Sequence, residues 1–235
     1  MNFMPAMRLL FLIFCLFPPL LAAAGDDAPK VSCRFLRLDA NGADPELMHV
    51  AKDGAQLSCK VPAHRLSAAV ILPAQDGVLE FRMADGGRLA ATARLPGPLK
   101  SAILVFVPTA DAQGGLPWKV VVIDDSERNF PLGGTMVANF HNGAIRVAIG
   151  EGRATLEPGG MRAFPLPERH DDFRMAPVVV QFEQAGKWRT ASESMLRFLP
   201  SIRYLIFAYV DPVSKRPRIN TYQDITVQAP AKVVP

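Results

Sequence analysis

From about residue 31 onward the apolar positions fall in short runs broken by turn residues, and the commonest spacing within a run is two. In Ile145-Arg-Val-Ala-Ile149 the apolar residues at 145, 147 and 149 alternate with others, which predicts a strand with one buried and one wet face. Leu47 to Ala51 runs into Asp53-Gly54 and is followed by Gln56 to Val61; Arg153 to Leu156 follows Glu151-Gly152 in the same way. Asn-Gly and Asp-Gly supply the positive φ that tight hairpin turns need, so these pairs read as hairpins. Ala102 to Val107 and Tyr204 to Val210 are longer apolar runs, each followed by a polar loop and a last strand, Trp118 to Ile123 and Arg218 to Tyr222. One segment carries a different period. Trp188, Ala191, Met195 and Leu199 are spaced as on a helix, and Arg88 to Leu95 is also built of good helix formers. Gly87 and Gly186 sit as hairpin turns ahead of these segments, which favours a strand in each, with a short helix as the alternative.

The turn signals recur with a period near 100 residues. Asn41-Gly42 is matched by Asn142-Gly143, Asp53-Gly54 by Glu151-Gly152, and Phe81 to Gly87 by Val180 to Gly186. Pro98 and Pro200 precede the two long apolar runs. Seven or eight strands fall in each half, at the spacing of a β-sandwich. The predicted fold is therefore all-β: two tandem immunoglobulin-like sandwiches, 25–130 and 131–228, with a tail at 229–235. The boundary between them is Asp124 to Gly134, polar at first and then carrying Pro131 and Gly133-Gly134.

The chain begins differently. Arg8 is followed by an uncharged apolar run from Leu9, then Pro18-Pro19 and Ala22-Ala-Ala24. This is the pattern of a signal peptide at 1–24 with cleavage before Gly25. The run from Leu9 to Ala24 is 16 residues, short of the roughly 20 that a spanning helix needs, so no transmembrane segment is expected after cleavage, an uncleaved anchor being the alternative. The protein is expected in the periplasm or outside the cell.

Composition narrows the class. Among 235 residues, 49% are hydrophobic and 20% charged, which excludes disorder for most of the chain. Only one basic residue, Arg8, falls in the leader, so 25 basic against 22 acidic residues leave a mature charge of +3. With no basic run interleaved with aromatics, nucleic acid is not an expected partner. Cys15 leaves with the leader. Cys33 and Cys59 remain, an even pair in an oxidising compartment, and predict a disulfide closing a loop of about 25 residues, worth about 3.5 kcal/mol, with two buried free thiols as the alternative.

Candidate chemistry is sparse. His49, His64 and His141 read as packing or surface residues. His170, Asp171 and Asp172 form the densest polar cluster and are the only metal candidates, as adjacent loop residues that rarely converge on one ion. Asp124 and Asp125 are adjacent too, whereas catalysis by two carboxylates needs them facing across a substrate. There is no nucleophile elbow, zinc-protease, P-loop or dinucleotide motif, and no cofactor is expected. Trp118 and Trp188 are the candidate binding residues, each with core closure as the alternative role.

Val122, Asp124, Asp125, Phe130, Pro131, Gly133 and Asn139 match the stretch "VLDDxxxxFPxGxxxxxN", with Ile123 in the leucine place. Leu156-Glu-Pro-Gly-Gly160 and Gly186-Lys-Trp-Arg189 fit as well. On these residues the chain resembles a family of exported bacterial proteins with two β-rich halves. The resemblance covers most of the mature chain; it implies a fold and a compartment and carries over no activity and no catalytic residue. In architecture the expected protein is also similar to periplasmic pilus-assembly chaperones, which bind a partner strand by edge pairing. These readings predict a non-enzymatic binding or structural protein of the cell envelope, recognising a protein or polymer through a sheet edge or the cleft between halves. A chaperone-like assembly factor is the more specific form, and a metal-assisted hydrolase using His170, Asp171 and Asp172 the competing class.

Overall fold

The computed structural model describes residues 28–38, 43–52, 54–85, 87–109, 115–211 and 213–225. The expected signal peptide, the tail at 229–235, the turn Asn41-Gly42 and Asp53 lie outside the described residues.

Sixteen strands and no helix make up the described residues. The first eight are β1 (Lys30–Arg37), β2 (Glu46–Val50), β3 (Gln56–Lys60), β4 (Val70–Pro73), β5 (Val78–Met83), β6 (Leu89–Arg94), β7 (Ser101–Pro108) and β8 (Trp118–Asp124). The second eight are β9 (Thr135–Asn139), β10 (Ile145–Ile149), β11 (Gly152–Leu156), β12 (Met161–Phe164), β13 (Met175–Gln184), β14 (Lys187–Arg197), β15 (Ile202–Val210) and β16 (Pro217–Ile225). They form four four-stranded sheets, and the order repeats. β4-β1-β7-β8 in the first half corresponds to β12-β9-β15-β16 in the second, and β3-β2-β5-β6 to β11-β10-β13-β14. In both halves the first strand pairs in parallel with the seventh: β1 with β7 and β9 with β15.

Three apolar cores stack these sheets into four layers. The first lies between the two sheets of the first half, around Phe35, Phe81 and Phe106, whose rings meet edge to face or tilted. The second fills the second half, around Val147, Val180 and Tyr204. The third is shared. Leu36, Leu38, Ile103, Val105 and Ile123 of the first half pack against Met136, Ala138, Leu205, Phe207 and Tyr222 of the second. The sheets holding β1 and β9 are thus the inner layers, with apolar side chains on both faces, which is why β7 and β15 read as continuous apolar runs.

The segment with helical spacing is strand β14. Its register against β13 slips between Val180 and Gln181: Thr190 faces Gln181, Ser192 faces Val180, and Ala191 is the extra residue of a bulge. The bulge switches the alternation by one, so Trp188 and Met195, seven apart, come to the same face. A period of two interrupted once imitates a helical period. β6 has the same slip between Phe81 and Arg82, skipping Ala90. The bulges fall at matching places of the two halves, 99 residues apart along β5 and β13.

Candidate functional site

The segment between the halves is exposed from Glu127 to Asn129 and anchored on either side of them. Its Asp125 accepts hydrogen bonds from Arg34 (Nη2 to Oδ2, 2.8 Å) and from Arg203 (Nη2 to Oδ1, 2.8 Å). Asp224 accepts from the same two side chains, from Arg34 Nη1 at 2.6 Å and from Arg203 Nε at 3.1 Å. The result is a closed ring of alternating arginine and aspartate, with Asp224 and Arg203 both about 95% buried. Burial alone would raise the Asp224 carboxyl; the hydrogen bonds and charges of Arg34 and Arg203 outweigh it and hold that group below the usual carboxylate range. Arg203 also donates to the Phe130 carbonyl (3.0 Å) and lies over the Phe130 ring, 4.1 Å from its centroid.

The other residues that carry the family-like pattern have equally structural work. Asp124 accepts from the Ser126 amide at 2.9 Å and from the Asn129 side chain, shaping the turn before Phe130. Gly133 has φ +70° and Gly134 lies so close to the Phe164 carbonyl that a Cβ would meet it at 2.7 Å. Asn139, fully buried, donates to the carbonyls of Gly143 and Leu156 and accepts from the His141 amide, tying three segments together. These polar groups hold the layers in place.

His170, Asp171 and Asp172 do not converge. Asp171 spends its Oδ1 on the amides of Phe173 (2.9 Å) and Met175 (2.8 Å), and His170 Nδ1 meets the Asp171 carbonyl. Among the described residues no three His, Cys, Asp or Glu side chains are grouped so as to hold a metal ion. His49 is buried with both ring nitrogens against carbonyls, of Glu80 at 2.9 Å and Pro73 at 3.0 Å. His141 packs its ring on Phe182.

The disulfide expected between Cys33 and Cys59 is not formed in the structure: both are free thiols, fully buried in the first core. They reach it from facing sheets, β1 and β3. Burial pushes the Cys33 thiol up to about 12, with Cys59 nearby adding to the rise, and Cys59 up to about 11.

The two tryptophans part company. Trp118 closes the first core, edge-on to Phe106 at 6.4 Å. Trp188 lies on the outer face of the sheet β11-β10-β13-β14, where the Arg146 guanidinium stacks on its ring, 4.1 Å from the centroid. Such a contact at an exposed site is worth about 0.5–1 kcal/mol and orders both side chains. Beside them the face carries the row Thr155, Arg146, Gln181, Thr190 and next to it the row Arg153, Ala148, Val179, Glu193. The small Ala148 and Val179 leave a shallow groove of about 420 Å³ walled by Arg146 and Arg153. Gln181, which lines it, donates from Nε2 to Thr190 Oγ1 beside it at 3.3 Å. Sequence reasoning missed both arginines; their only signal was alternation with buried residues, which any exposed position shares.

A second pocket, about 450 Å³, opens at the rim between the halves, with His64 on one side and Tyr209, Asp211, Arg218, Asn220 and Tyr222 on the other. Away from this rim the halves meet through the third core. No helix among the described residues is long and apolar enough to cross a membrane. No family model matches the chain, and no curated protein matches it.

Proposed function

We propose that this is an exported, non-enzymatic binding protein of the cell envelope, whose contact surface is the outer face of the sheet β11-β10-β13-β14. The observation that carries this reading is the placement of Trp188. An aromatic ring of that size is normally used to close a core; here it stands on the outside, held by Arg146, beside a groove with polar walls. The leader pattern at 1–24 and the resemblance to exported two-halved proteins support the compartment. The likeness to immunoglobulin domains is one of layers: each half faces two four-stranded sheets across a core, while the strand order departs from that of immunoglobulins. In the oxidising compartment Cys33 and Cys59, meeting in one core, form the disulfide.

A chaperone-like role is favoured by one feature of the same sheet. Its edge strand β14 runs eleven residues and is exposed for most of them, and an open edge can pair with a partner strand. The charges of Lys187, Arg189 and Arg197 on that strand also guard it against indiscriminate pairing.

The test is affinity capture from a detergent extract of the source envelope, run in parallel with the natural protein and Trp188→Ala. A component retained at high salt by the first and lost by the second is the expected result. Identical retention by both proteins, or none by either, overturns the reading.

A further inference from the structure

We infer that the groove of the outer face β11-β10-β13-β14 takes an acidic polysaccharide, with sugar rings on the floor beside Trp188 and carboxylates at Arg146 and Arg153. The inference rests on the proposed contact surface and names its ligand. Its basis is unspent positive charge. Arg146 makes no hydrogen bond or ion pair among the described residues, so its donors are free while stacking on Trp188 fixes their position. Among the described residues Arg153 gives only Nη1, to the carbonyls of Gly150 (2.6 Å) and Gly152 (2.8 Å), leaving Nε and Nη2 for a ligand. Two acids stand on this face, Glu183 and Glu193, and neither forms an ion pair with either arginine among the described residues. A guanidinium presents a planar fork that matches a carboxylate with two parallel hydrogen bonds.

The repeat supplies an internal comparison. By strand register, Met48 stands in the first half where Arg146 stands in the second, and Gln56 where Arg153 stands. Of the two arginines on that face, Arg82 is paired with Glu80 at 3.2 Å, which leaves Arg94, opposite Val78 on β6. The shared fold does not require two free arginines on this surface; only the second half has them. The rest of the groove suits a sugar better than a lipid or an apolar peptide. Ala148 and Val179 give a small flat floor, and Thr155 and Gln181 hydroxyl and amide groups for ring hydroxyls, while Trp188 stands beside the groove and holds Arg146 at its wall.

The experiment uses protein purified after export from the full-length chain, with immobilised polygalacturonate, its fully methyl-esterified form and polyglutamate as probes at physiological salt. The acidic glycan is expected to bind at least tenfold tighter than its ester and than polyglutamate. Arg146→Gln/Arg153→Gln should abolish that preference. Arg88→Gln/Arg94→Gln, which removes the same charge from exposed sites in the first half, should keep it. Trp188→Ala should weaken binding of both glycans. Circular dichroism spectra matching the natural protein establish that each variant is folded. Equal binding of acid and ester, equal binding of polyglutamate, a preference that survives the Arg146/Arg153 pair, or no binding at all each overturns the inference. Capture of an envelope component that depends on Trp188 but not on the two arginines would overturn it while leaving the proposed contact surface standing.

Discussion

Asp125 and Asp224 occupy the same place in the two halves, 99 residues apart, and both close on the same two arginines. Asp125 follows β8 and its amide bonds the Ser101 carbonyl; Asp224 in β16 faces Arg203, the counterpart of Ser101. The aspartates obey the repeat, whereas the arginines come from β1 and β15, which are not counterparts. A duplicated acid has been given an unduplicated pair of bases, and the ring they form marks where the halves meet.

Removing one member leaves an uncompensated buried charge, which typically costs about 3–5 kcal/mol. Arg203→Met and Asp224→Asn are each expected to lower the unfolding free energy by that order in denaturant titration. An effect under about 1 kcal/mol would show that the ring is dispensable.

The ring also sets the response to acid. The folded Asp224 carboxyl lies below its ordinary value of about 3.9, so its contribution is present in full above that value and is lost as pH falls through the folded one. Stability is therefore expected to decline below about pH 4, and the decline should be shallower in Asp224→Asn. Tryptophan emission followed in denaturant at several pH values measures both curves; parallel curves would remove Asp224 from the acid response.

Two glycines separate backbone strain from crowding. Gly133 (φ +70°) and Gly159 (φ +79°) share the left-handed conformation, but a Cβ at Gly133 would meet Leu166 Cδ1 at 2.9 Å while one at Gly159 meets nothing. Gly133→Ala is expected to destabilise by about 1–3 kcal/mol more than Gly159→Ala. Equal losses in thermal melts would mean that the Leu166 side chain moves aside.

The cysteine pair predicts a chemical count. Protein purified after export, denatured without reductant, should take up no alkylating groups, and two after reduction. Two groups without reductant would mean that Cys33 and Cys59 stay as thiols. Even as thiols they should resist reagents at pH 8 in the folded protein, because burial raises both to about 11 or above.

Much of this fold was legible in the sequence because turns carry their own chemistry. Gly87 and Gly186 punctuate both halves as expected, at φ +66° and +72°, and the Ile145–Ile149 alternation gives β10 with its buried face inward. What stayed hidden depends on contacts between distant segments. Nothing in the spacing of Asp124 and Asp125 tells that one shapes a turn and the other reaches Arg34, 91 residues away. Trp118 and Trp188 each follow a turn, and only the layer outside each strand separates a core ring from a surface one.

The pairing of the first strand of each half with the seventh has a consequence in time. β1 finds β7 only after some seventy further residues have been delivered, so neither half gains its inner sheet early, and long-range closure of this kind is slow. For a chain that emerges from its N-terminus, the first half closes while the second is still incomplete. Throughout that interval Leu36, Ile103 and Val105 form a bare apolar wall with no neighbour. The shared core makes the second half the cover for the first, and a chain cut between them would carry that wall permanently into solution.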